Sequence, residues 1–196
     1  MRIRPAGVFD AQALLNIYRS YIPTNITFET VPPSTDEFAQ RIRTISAVYP
    51  YLVWENDEGQ ILGYAYAHRT FSRAAYEWNA ELSVYLAPDA RKRGIGTRLY
   101  RAVLECLREM GVRLAYAVVV SPNPASERLH EKLGFLRRAE FPCAGYKNGR
   151  WCTTIWFEYP LLSCESKPEP IIPFCQLDPQ LVRGLLSRYE QGETLL

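Results

Sequence analysis

The chain has 196 residues, of which 47% are hydrophobic and 22% are charged. This length and composition fit one globular domain of ordinary size, with or without a tail, and argue against a disordered, collagenous or coiled-coil chain. Lysine and arginine number 23 against 21 aspartates and glutamates, a net charge of +2, so we expect neither a nucleic-acid binder nor a membrane-surface protein.

In chain order, the first half of the sequence predicts a strand, two helices and a hairpin. Apolar residues recur at helical spacing in each helix, and a polar residue precedes each as a cap. The hairpin strands flank a turn made of Asn, Asp, Glu and Gly. The predicted elements are a strand at the N-terminus, a helix from Asp10 that ends before Pro23, a loop over 24–31, a helix from Ser34 or Thr35 through Ile45, and strands over 51–54 and 61–68.

The second half alternates strands with helices and ends in a proline-containing tail. One strand is an unbroken apolar run, which is typical of a strand buried on both faces. The predicted elements are strands over 81–86 and 114–120 around a helix that Gly111 ends, a loop over 121–126, a helix over 127–133, a hairpin with strands over 135–143 and 151–159, and a tail helix over 178–189. Pro168, Pro170 and Pro173 mark a linker, so we divide the chain into a domain over 1–161 and an extension over 162–196.

The sequence shows no sign of export or of a disulfide framework. The N-terminal residues lack the charged-then-apolar order of a signal peptide, and no apolar run approaches the roughly 20 residues that span a bilayer. We therefore expect a cytoplasmic protein. The five cysteines form no C-x-x-C pair, so we expect neither disulfides nor a metal site.

A basic, glycine-rich turn joins the strand over 81–86 to the helix that follows it. The turn is Arg91-Lys92-Arg93-Gly94-Ile95-Gly96. Unpaired backbone N–H groups and the helix dipole can hold phosphate at such a turn, and glycine allows close approach. Its R-x-x-G-x-G spacing excludes the Rossmann and P-loop motifs. By itself the turn is equally compatible with a connection whose arginines are merely solvated.

Other motifs accompany this turn in a fixed order. They are Val84-Tyr85-Leu86-Ala87-Pro88 before it, and Asn123-x-x-Ser126 and Leu129-His130-x-x-Leu133-Gly134-Phe135 after it. Together they resemble the acetyl-CoA signature of the GNAT N-acetyltransferase superfamily, over about residues 2–161.

Within that superfamily, further residues are similar to the phosphinothricin acetyltransferase branch. They are Glu81 before Ser83-Val84-Tyr85, His130 in place of the usual tyrosine, Ala144-Gly145-Tyr146-Lys147-x-Gly149-x-Trp151, and a Phe28-Glu29-Thr30-like loop. With the proline-rich tail, this resemblance spans nearly the whole chain. It also implies a homodimer, in which Trp78 and Trp151 serve as core or interface packing.

The resemblance implies an α/β (α+β) fold with a central, mostly antiparallel twisted sheet flanked by helices. The strand ending at Leu86 and the one ending near Val120 would splay apart, and the pantetheine arm of acetyl-CoA, the co-substrate, would enter the gap. The residues that the resemblance assigns to cofactor binding are Val84, Tyr85, Leu86, Arg91, Arg93, Gly94, Ile95, Gly96, Thr97, Asn123 and Ser126.

The implied reaction is acyl transfer from a thioester to an amine. An ammonium group must lose a proton before it can attack, and Glu81 corresponds to the family's proposed base. The alternatives are an ordinary glutamate at a strand end and one that pairs with Arg73 or Arg69. His130 stands where relatives have a tyrosine that protonates the leaving thiolate, and a packing or capping role is equally compatible with its position.

The acceptors of this branch are small amino acids with an anionic or strongly polar side group, such as phosphinothricin and methionine sulfoximine or sulfone. Such a molecule requires a cation or several donors in an apolar and aromatic pocket. The residues expected to surround it are Phe28, Thr30, Arg69, Arg73, Tyr76 and Lys147, each of which is also compatible with a structural role alone.

The sequence therefore predicts an N-acetyltransferase that acts on the α-amino group of a small amino-acid analogue. One alternative is a GNAT enzyme for another amine, such as a polyamine, an aminoglycoside or a protein N-terminus. The other is a non-catalytic acyl-CoA-binding module. The near-neutral charge argues against a polycationic acceptor, and the presence of both Glu81 and Asn123 argues against a decayed site.

Overall fold

Seven strands and five α-helices organise the computed structural model, which describes residues 1–190. The strands are β1 (Arg2–Pro5), β2 (Tyr51–Glu55), β3 (Ile61–Arg69), β4 (Asn79–Leu86), β5 (Leu114–Ser121), β6 (Leu136–Lys147) and β7 (Arg150–Pro160). The helices are α1 (Ala11–Arg19), α2 (Thr35–Ser46), α3 (Ile95–Glu109), α4 (Pro124–Leu133) and α5 (Pro179–Glu190).

The strands form one sheet in the order β1-β2-β3-β4-β5-β7-β6. All neighbours are antiparallel except β4 and β5, which are parallel and pair only from Asn79↔Leu114 to Glu81↔Tyr116. Beyond Glu81 the two strands continue without pairing to each other, which leaves a gap in the sheet. The predicted fold class, a mostly antiparallel sheet that splays at this point, is confirmed.

Helices cover both faces of the sheet, so its central strands are buried on both sides. Along β2, Leu52 and Trp54 belong to the core beneath α3, whereas Tyr51 and Val53 belong to the core beneath α1 and α2. This division follows from the alternation of side chains along a strand. The gap between β4 and β5 is therefore held between two packed layers.

Local side-chain chemistry sets several helix boundaries. Ser34 and Glu37 form a capping box at the start of α2, with the Ser34 hydroxyl accepting from the Glu37 N–H at 3.2 Å. Asp10 precedes α1, as predicted, but its carboxylate accepts from the Gly7 N–H at 2.8 Å and closes the preceding 3-10 turn. A cap through the Asp10 side chain was therefore a wrong prediction.

Two other boundaries also differ from the prediction. The loop predicted over 121–126 is wrong, because α4 begins at Pro124, where the Asn123 carboxamide oxygen accepts from the Ser126 N–H at 3.3 Å. The β6–β7 turn is shorter than predicted. Asn148 and Gly149 both have positive φ, 51° and 77°, which is the geometry of a two-residue hairpin turn.

The described part of the C-terminal extension packs against the rest of the chain. The predicted tail helix is α5, which lies against α3 and β1. The Phe174 N–H donates to the Val48 carbonyl at 2.7 Å, and the Phe174 and Leu186 side chains join the main core. Residues 191–196, the end of the predicted extension, lie outside the described residues. Within residues 1–190, every helix is too short or too polar to cross a membrane.

Candidate active site

The gap is lined on one side by backbone groups of β4. The Ala87 N–H, just after β4, donates to the carbonyl of Leu62 on β3 at 2.9 Å. Because alternate residues of an antiparallel ladder point away from the partner strand, this register turns the N–H and C=O groups of Leu82, Val84 and Leu86 toward the gap. The same register turns the backbone of Tyr85 toward β3, away from the gap.

A tyrosine hydroxyl lies at each end of this row of backbone groups. The Tyr21 hydroxyl accepts from the Leu86 N–H at 3.0 Å and donates to the Leu86 carbonyl at 2.7 Å. The Tyr100 hydroxyl lies 3.2 Å from the Leu82 carbonyl. Val84 lines the gap between them, which makes its backbone the middle of a hydrogen-bonding edge for an extended ligand.

The basic turn leads into the first turn of α3 at one end of the gap. Gly94 has a φ of 79° and precedes α3 without a capping side chain, so the first N–H groups of the helix lack an intramolecular cap. A Cβ on Gly96 would lie 3.4 Å from Leu86 Cδ1, so α3 packs closely on β4. The Arg91 guanidinium lies 5.0 Å from the centre of the Tyr21 ring, and Arg93 is exposed.

The wall of the gap opposite β4 is formed by β5 and α4. Asn123 and Ser126 line it, and the same two residues form the cap of α4. Of the predicted cofactor residues, Val84, Tyr85, Asn123 and Ser126 line the gap. The predicted backbone contact from Tyr85 is not available, because its backbone groups face β3. Ile95 and Thr97 lie in the first turn of α3.

Glu81 lies where the gap begins. In the sheet it is opposite His68 on β3 and Tyr116 on β5, and its carboxylate is 3.9 Å from the Nε2 atom of His68. Burial raises the pKa of Glu81 above that of an ordinary glutamate, and a positive charge on His68 acts in the opposite direction. A carboxylate with a raised pKa is a stronger base at neutral pH.

The two arginines that the sequence offered as partners for Glu81 lie elsewhere. Arg69 donates to the Arg73 carbonyl at 3.3 Å, and within residues 1–190 neither guanidinium forms an ion pair with a carboxylate. Both arginines are exposed. They are therefore available to an anionic ligand.

His130 is buried, and both of its ring nitrogens are hydrogen-bonded. Nδ1 is 2.7 Å from the Ser126 carbonyl, which can only accept, so the proton is assigned to Nδ1. Nε2 then accepts from the Tyr100 hydroxyl at 3.0 Å. Burial lowers the pKa of His130 to about 4, so the ring is neutral at pH 7. In this state its one N–H is donated to the backbone.

Lys147 holds the loop between α1 and α2. It is 4% exposed, and its ammonium donates to the Thr27 and Glu29 carbonyls, both at 2.6 Å. Burial lowers its pKa. On the next residue, the Asn148 side chain donates to the Pro23 carbonyl at 3.0 Å. The β6–β7 hairpin therefore fixes the position of the 24–30 loop.

The other predicted acceptor residues lie around this loop and the 70–78 segment. A Cβ on Gly145 would lie 2.8 Å from the Phe28 ring, so glycine is needed for Phe28 to sit against the hairpin. Thr30 is exposed. The ring of Tyr76 is 4.6 Å from that of Phe71, which stacks on Trp156 at 6.1 Å.

Sequence reasoning gave no site role to His68, Tyr21 or Tyr100. His68 becomes relevant through the register of β3 against β4, and Tyr21 through the packing of α1 on the sheet. Neither follows from spacing in the sequence. Tyr100 lies four residues after Gly96 on α3, and helical periodicity places it one turn beyond the basic turn.

Comparisons with known proteins agree with this geometry. Residues 3–156 match the family model for the acetyltransferase (GNAT) domain. The chain is 35% identical over 182 residues to phosphinothricin N-acetyltransferase of Streptomyces viridochromogenes, which covers 90% of this chain and 96% of that protein. It is 33% identical over 168 residues to the L-methionine sulfoximine/L-methionine sulfone acetyltransferase of Pseudomonas paraeruginosa, which covers 85% of this chain and 98% of that protein.

A solved structure shares the fold. It is the crystal structure of a GNAT superfamily phosphinothricin acetyltransferase from Sinorhizobium meliloti in complex with AcCoA. The two chains are 36% identical, with a TM-score of 0.82, and the match covers 85% of this chain and 92% of the other.

Proposed function

Because the chain belongs to the GNAT acetyltransferase family, we propose that it acetylates the α-amino group of a small amino acid with an anionic or tetrahedral polar side group. The protein is an N-acetyltransferase of the phosphinothricin and methionine sulfoximine type, and acetyl-CoA is its acetyl donor. The single observation that carries the proposal is the position of Glu81, the last residue of β4 that pairs with β5 before the gap begins.

The residues around the gap fit acetyl-CoA. The backbone of Val84 would bind a pantetheine amide in place of a neighbouring strand, whereas the N–H and C=O groups of Leu86 are already hydrogen-bonded to Tyr21. The N–H groups at the start of α3, with Arg91 and Arg93, would hold the pyrophosphate. Asn123 and Ser126 would contact the pantetheine arm from α4. Bound in this way, acetyl-CoA supplies a thioester carbonyl that an amine can attack.

Glu81 would act as the general base. Conversion of an ammonium to an acetamide removes two protons from nitrogen, of which one is used to form the thiol of coenzyme A and one leaves the site. Glu81 takes up the proton that frees the nitrogen lone pair. Its partial burial supports this role, since it raises the pKa of the carboxyl toward the working pH.

His130 would position Tyr100 at the wall of the gap. The neutral ring donates its one N–H to Ser126, so it has no free proton for a leaving thiolate. Its acceptor nitrogen orients the Tyr100 hydroxyl, which also lies beside the Leu82 carbonyl. We therefore propose a positioning role for His130 rather than a direct proton transfer.

Acceptor selectivity tests the proposed substrate class. The described residues around the site include two exposed arginines and no cluster of carboxylates. Because these arginines would repel a polycation, kcat/KM for phosphinothricin and for methionine sulfone should exceed kcat/KM for spermidine by roughly 100-fold or more. Rates of thiol release under one condition measure this ratio, with mass spectrometry to locate the acetyl group. Spermidine used as well as the amino acids would contradict the proposal. An Arg73→Ala enzyme with unchanged kinetics would exclude that arginine from the acceptor site.

Removal of the Lys147 ammonium should weaken acceptor binding. Lys147→Met keeps the apolar stem but leaves two loop carbonyls without donors, so the acceptor KM should rise on the order of tenfold. The side group of methionine sulfone is neutral, whereas that of phosphinothricin is anionic. If Lys147 acts by holding the loop, the KM for both acceptors should rise equally. Steady-state kinetics with both acceptors measures this, and Lys167→Met, at an exposed position, controls for the lost charge. A rise confined to phosphinothricin would instead indicate direct contact with the anion.

We also propose a homodimer in the cytoplasm, where acetyl-CoA is available. Large exposed rings concentrate on the β6–β7 hairpin, where Phe141, Tyr146 and Trp151 are 50%, 61% and 62% exposed. Exposed apolar surface of this kind is typical of a protein interface.

We also propose that residues 1–161 form the catalytic domain and that residues 162–196 are an extension of it, because every candidate site residue lies before residue 162.

A further inference from the structure

His68 lies on the side of Glu81 that faces away from the gap. It occupies the position opposite Glu81 on β3, whereas the gap opens on the other side of β4, toward β5. The Nδ1 atom of His68 is 3.0 Å from the Arg69 carbonyl. A carbonyl only accepts, so the neutral ring carries its proton on Nδ1. The lone pair of Nε2 is then directed to the Glu81 side.

The same histidine reaches a second, open space. It lines a cleft of about 620 Å³ between α2, β3 and the segment around Ile171 and Pro173. The His68 side chain is 34% exposed, against 23% for Glu81. The titratable and charged groups that face His68 or share its cleft are Glu81, Tyr66, Arg69, Tyr49 and Glu77. His68 thus connects the candidate base with solvent by a route that avoids the gap.

We propose that His68 is the proton outlet of the active site: it does not contact the substrate and acts by accepting the proton from Glu81. The inference rests on the proposed function, in which Glu81 is the base. After Glu81 has taken a proton from the ammonium group, its O–H bond breaks as the Nε2 lone pair of His68 forms an N–H bond. A carboxylate and an imidazolium result. The imidazolium then releases this proton to water in the cleft, and Glu81 is a base again for the next turnover.

The distance between the two groups is compatible with this step. A separation of 3.9 Å exceeds a hydrogen bond by about 1 Å, which small side-chain rotations can close. Catalytic contacts are commonly long in enzymes without substrate and tighten when substrate binds. An outlet on the far side of β4 also leaves the gap free for the acyl donor.

The test compares His68→Ala with the wild-type enzyme, with methionine sulfone as acceptor. In His68→Ala, kcat should fall roughly tenfold or more, and free imidazole should restore it in a saturable manner, because imidazole can carry the proton through the space left by the side chain. His68→Gln, which keeps a polar side chain of similar length, should lose activity to the same extent. Thermal unfolding shows whether each variant is folded.

The pH profile supplies a second measurement. Glu81 must be ionised to act, so kcat/KM falls as pH decreases through the pKa of Glu81. A protonated His68 lowers that pKa, so its removal should shift the acidic limb to higher pH. Thr44→Ala, which changes an uncharged residue of the same cleft, should neither shift the limb nor respond to imidazole.

The outcomes separate the outlet from the proposed function. A folded His68 variant with wild-type kcat, or with a reduced kcat that imidazole does not restore, contradicts the outlet while an active wild-type enzyme preserves the function. If the acidic limb of the kcat/KM profile shifts but imidazole does not restore kcat, His68 influences Glu81 only electrostatically. That result also contradicts the role of His68 as a proton outlet. If the wild-type enzyme acetylates no amino acid, the proposed function fails, and the outlet fails with it.

Discussion

Replacement of Glu81 by glutamine is expected to lower kcat by roughly 10²- to 10⁴-fold while acetyl-CoA binding is retained. Glutamine preserves the shape of the side chain at the start of the gap but cannot accept the ammonium proton. The proposed donor-binding groups are the β4 backbone around Val84, the start of α3 and the start of α4, and the substitution leaves them unchanged. Initial rates of thiol release give kcat, and calorimetric titration gives the affinity for acetyl-CoA.

The pH dependence identifies the cause of the loss. At high pH the acceptor amine arrives deprotonated, so the difference between Glu81→Gln and the wild type should narrow. In the wild type, the acidic limb should lie above that expected for an ordinary glutamate, because burial raises the pKa of Glu81. Glu58→Gln, in the exposed β2–β3 turn, provides the control. A loss below threefold at every pH would show that another group is the base.

Gly96→Val is expected to weaken acetyl-CoA binding by about 100-fold or more, since it displaces several charge-assisted hydrogen-bond donors, each worth about 1.5–3 kcal/mol. A Cβ at this position would lie 3.4 Å from Leu86 Cδ1 and 4.0 Å from Val84 Cγ2. The two further methyl groups of valine would push the first turn of α3 away from β4. The N–H groups there would then be displaced from the proposed pyrophosphate site. Calorimetry with acetyl-CoA measures the effect.

Gly96→Val also adds side-chain volume to the core, so a control must separate this effect from the loss of acetyl-CoA binding. Ala102→Val enlarges a fully buried residue on the same helix, away from the first turn. It should reduce the midpoint of thermal unfolding to a similar degree but leave acetyl-CoA affinity intact. A folded Gly96→Val protein with unchanged affinity would mean that the start of α3 does not hold the pyrophosphate.

Much of the fold follows from local chemistry in the sequence. Ser34 and Glu37 make the start of α2 recognisable, and Gly111 and Gly134 mark helix ends because both have positive φ, 87° and 91°. The start of α4 was missed because Asn123 and Pro124 are typical of a loop as well as of a helix start. The gap itself was predicted from the resemblance to a family. Alternation along β4 does not show where its pairing with β5 ends.

The candidate site was predictable in part, and the limit has a physical cause. Glu81 and the turn over 91–96 belong to short motifs, so they could be proposed from the sequence through the resemblance to a family. The pairing of His68 with Glu81 depends on strand register, which is set by long-range packing. The bonds from Lys147 to the 24–30 loop join residues about 120 positions apart. Spacing within a motif contains no information about such contacts.

The gap between β4 and β5 has a consequence for how the acceptor specificity of this fold can change. The proposed donor-binding groups belong to β4, α3 and α4, whereas the proposed acceptor-binding groups lie on the 24–30 loop, the 70–78 segment and the β6–β7 hairpin. Substitutions in the second set can change which amine is accepted without altering the groups that hold coenzyme A. Directed evolution toward a new acceptor would therefore begin at the hairpin and the loop it holds, with the donor half left unchanged.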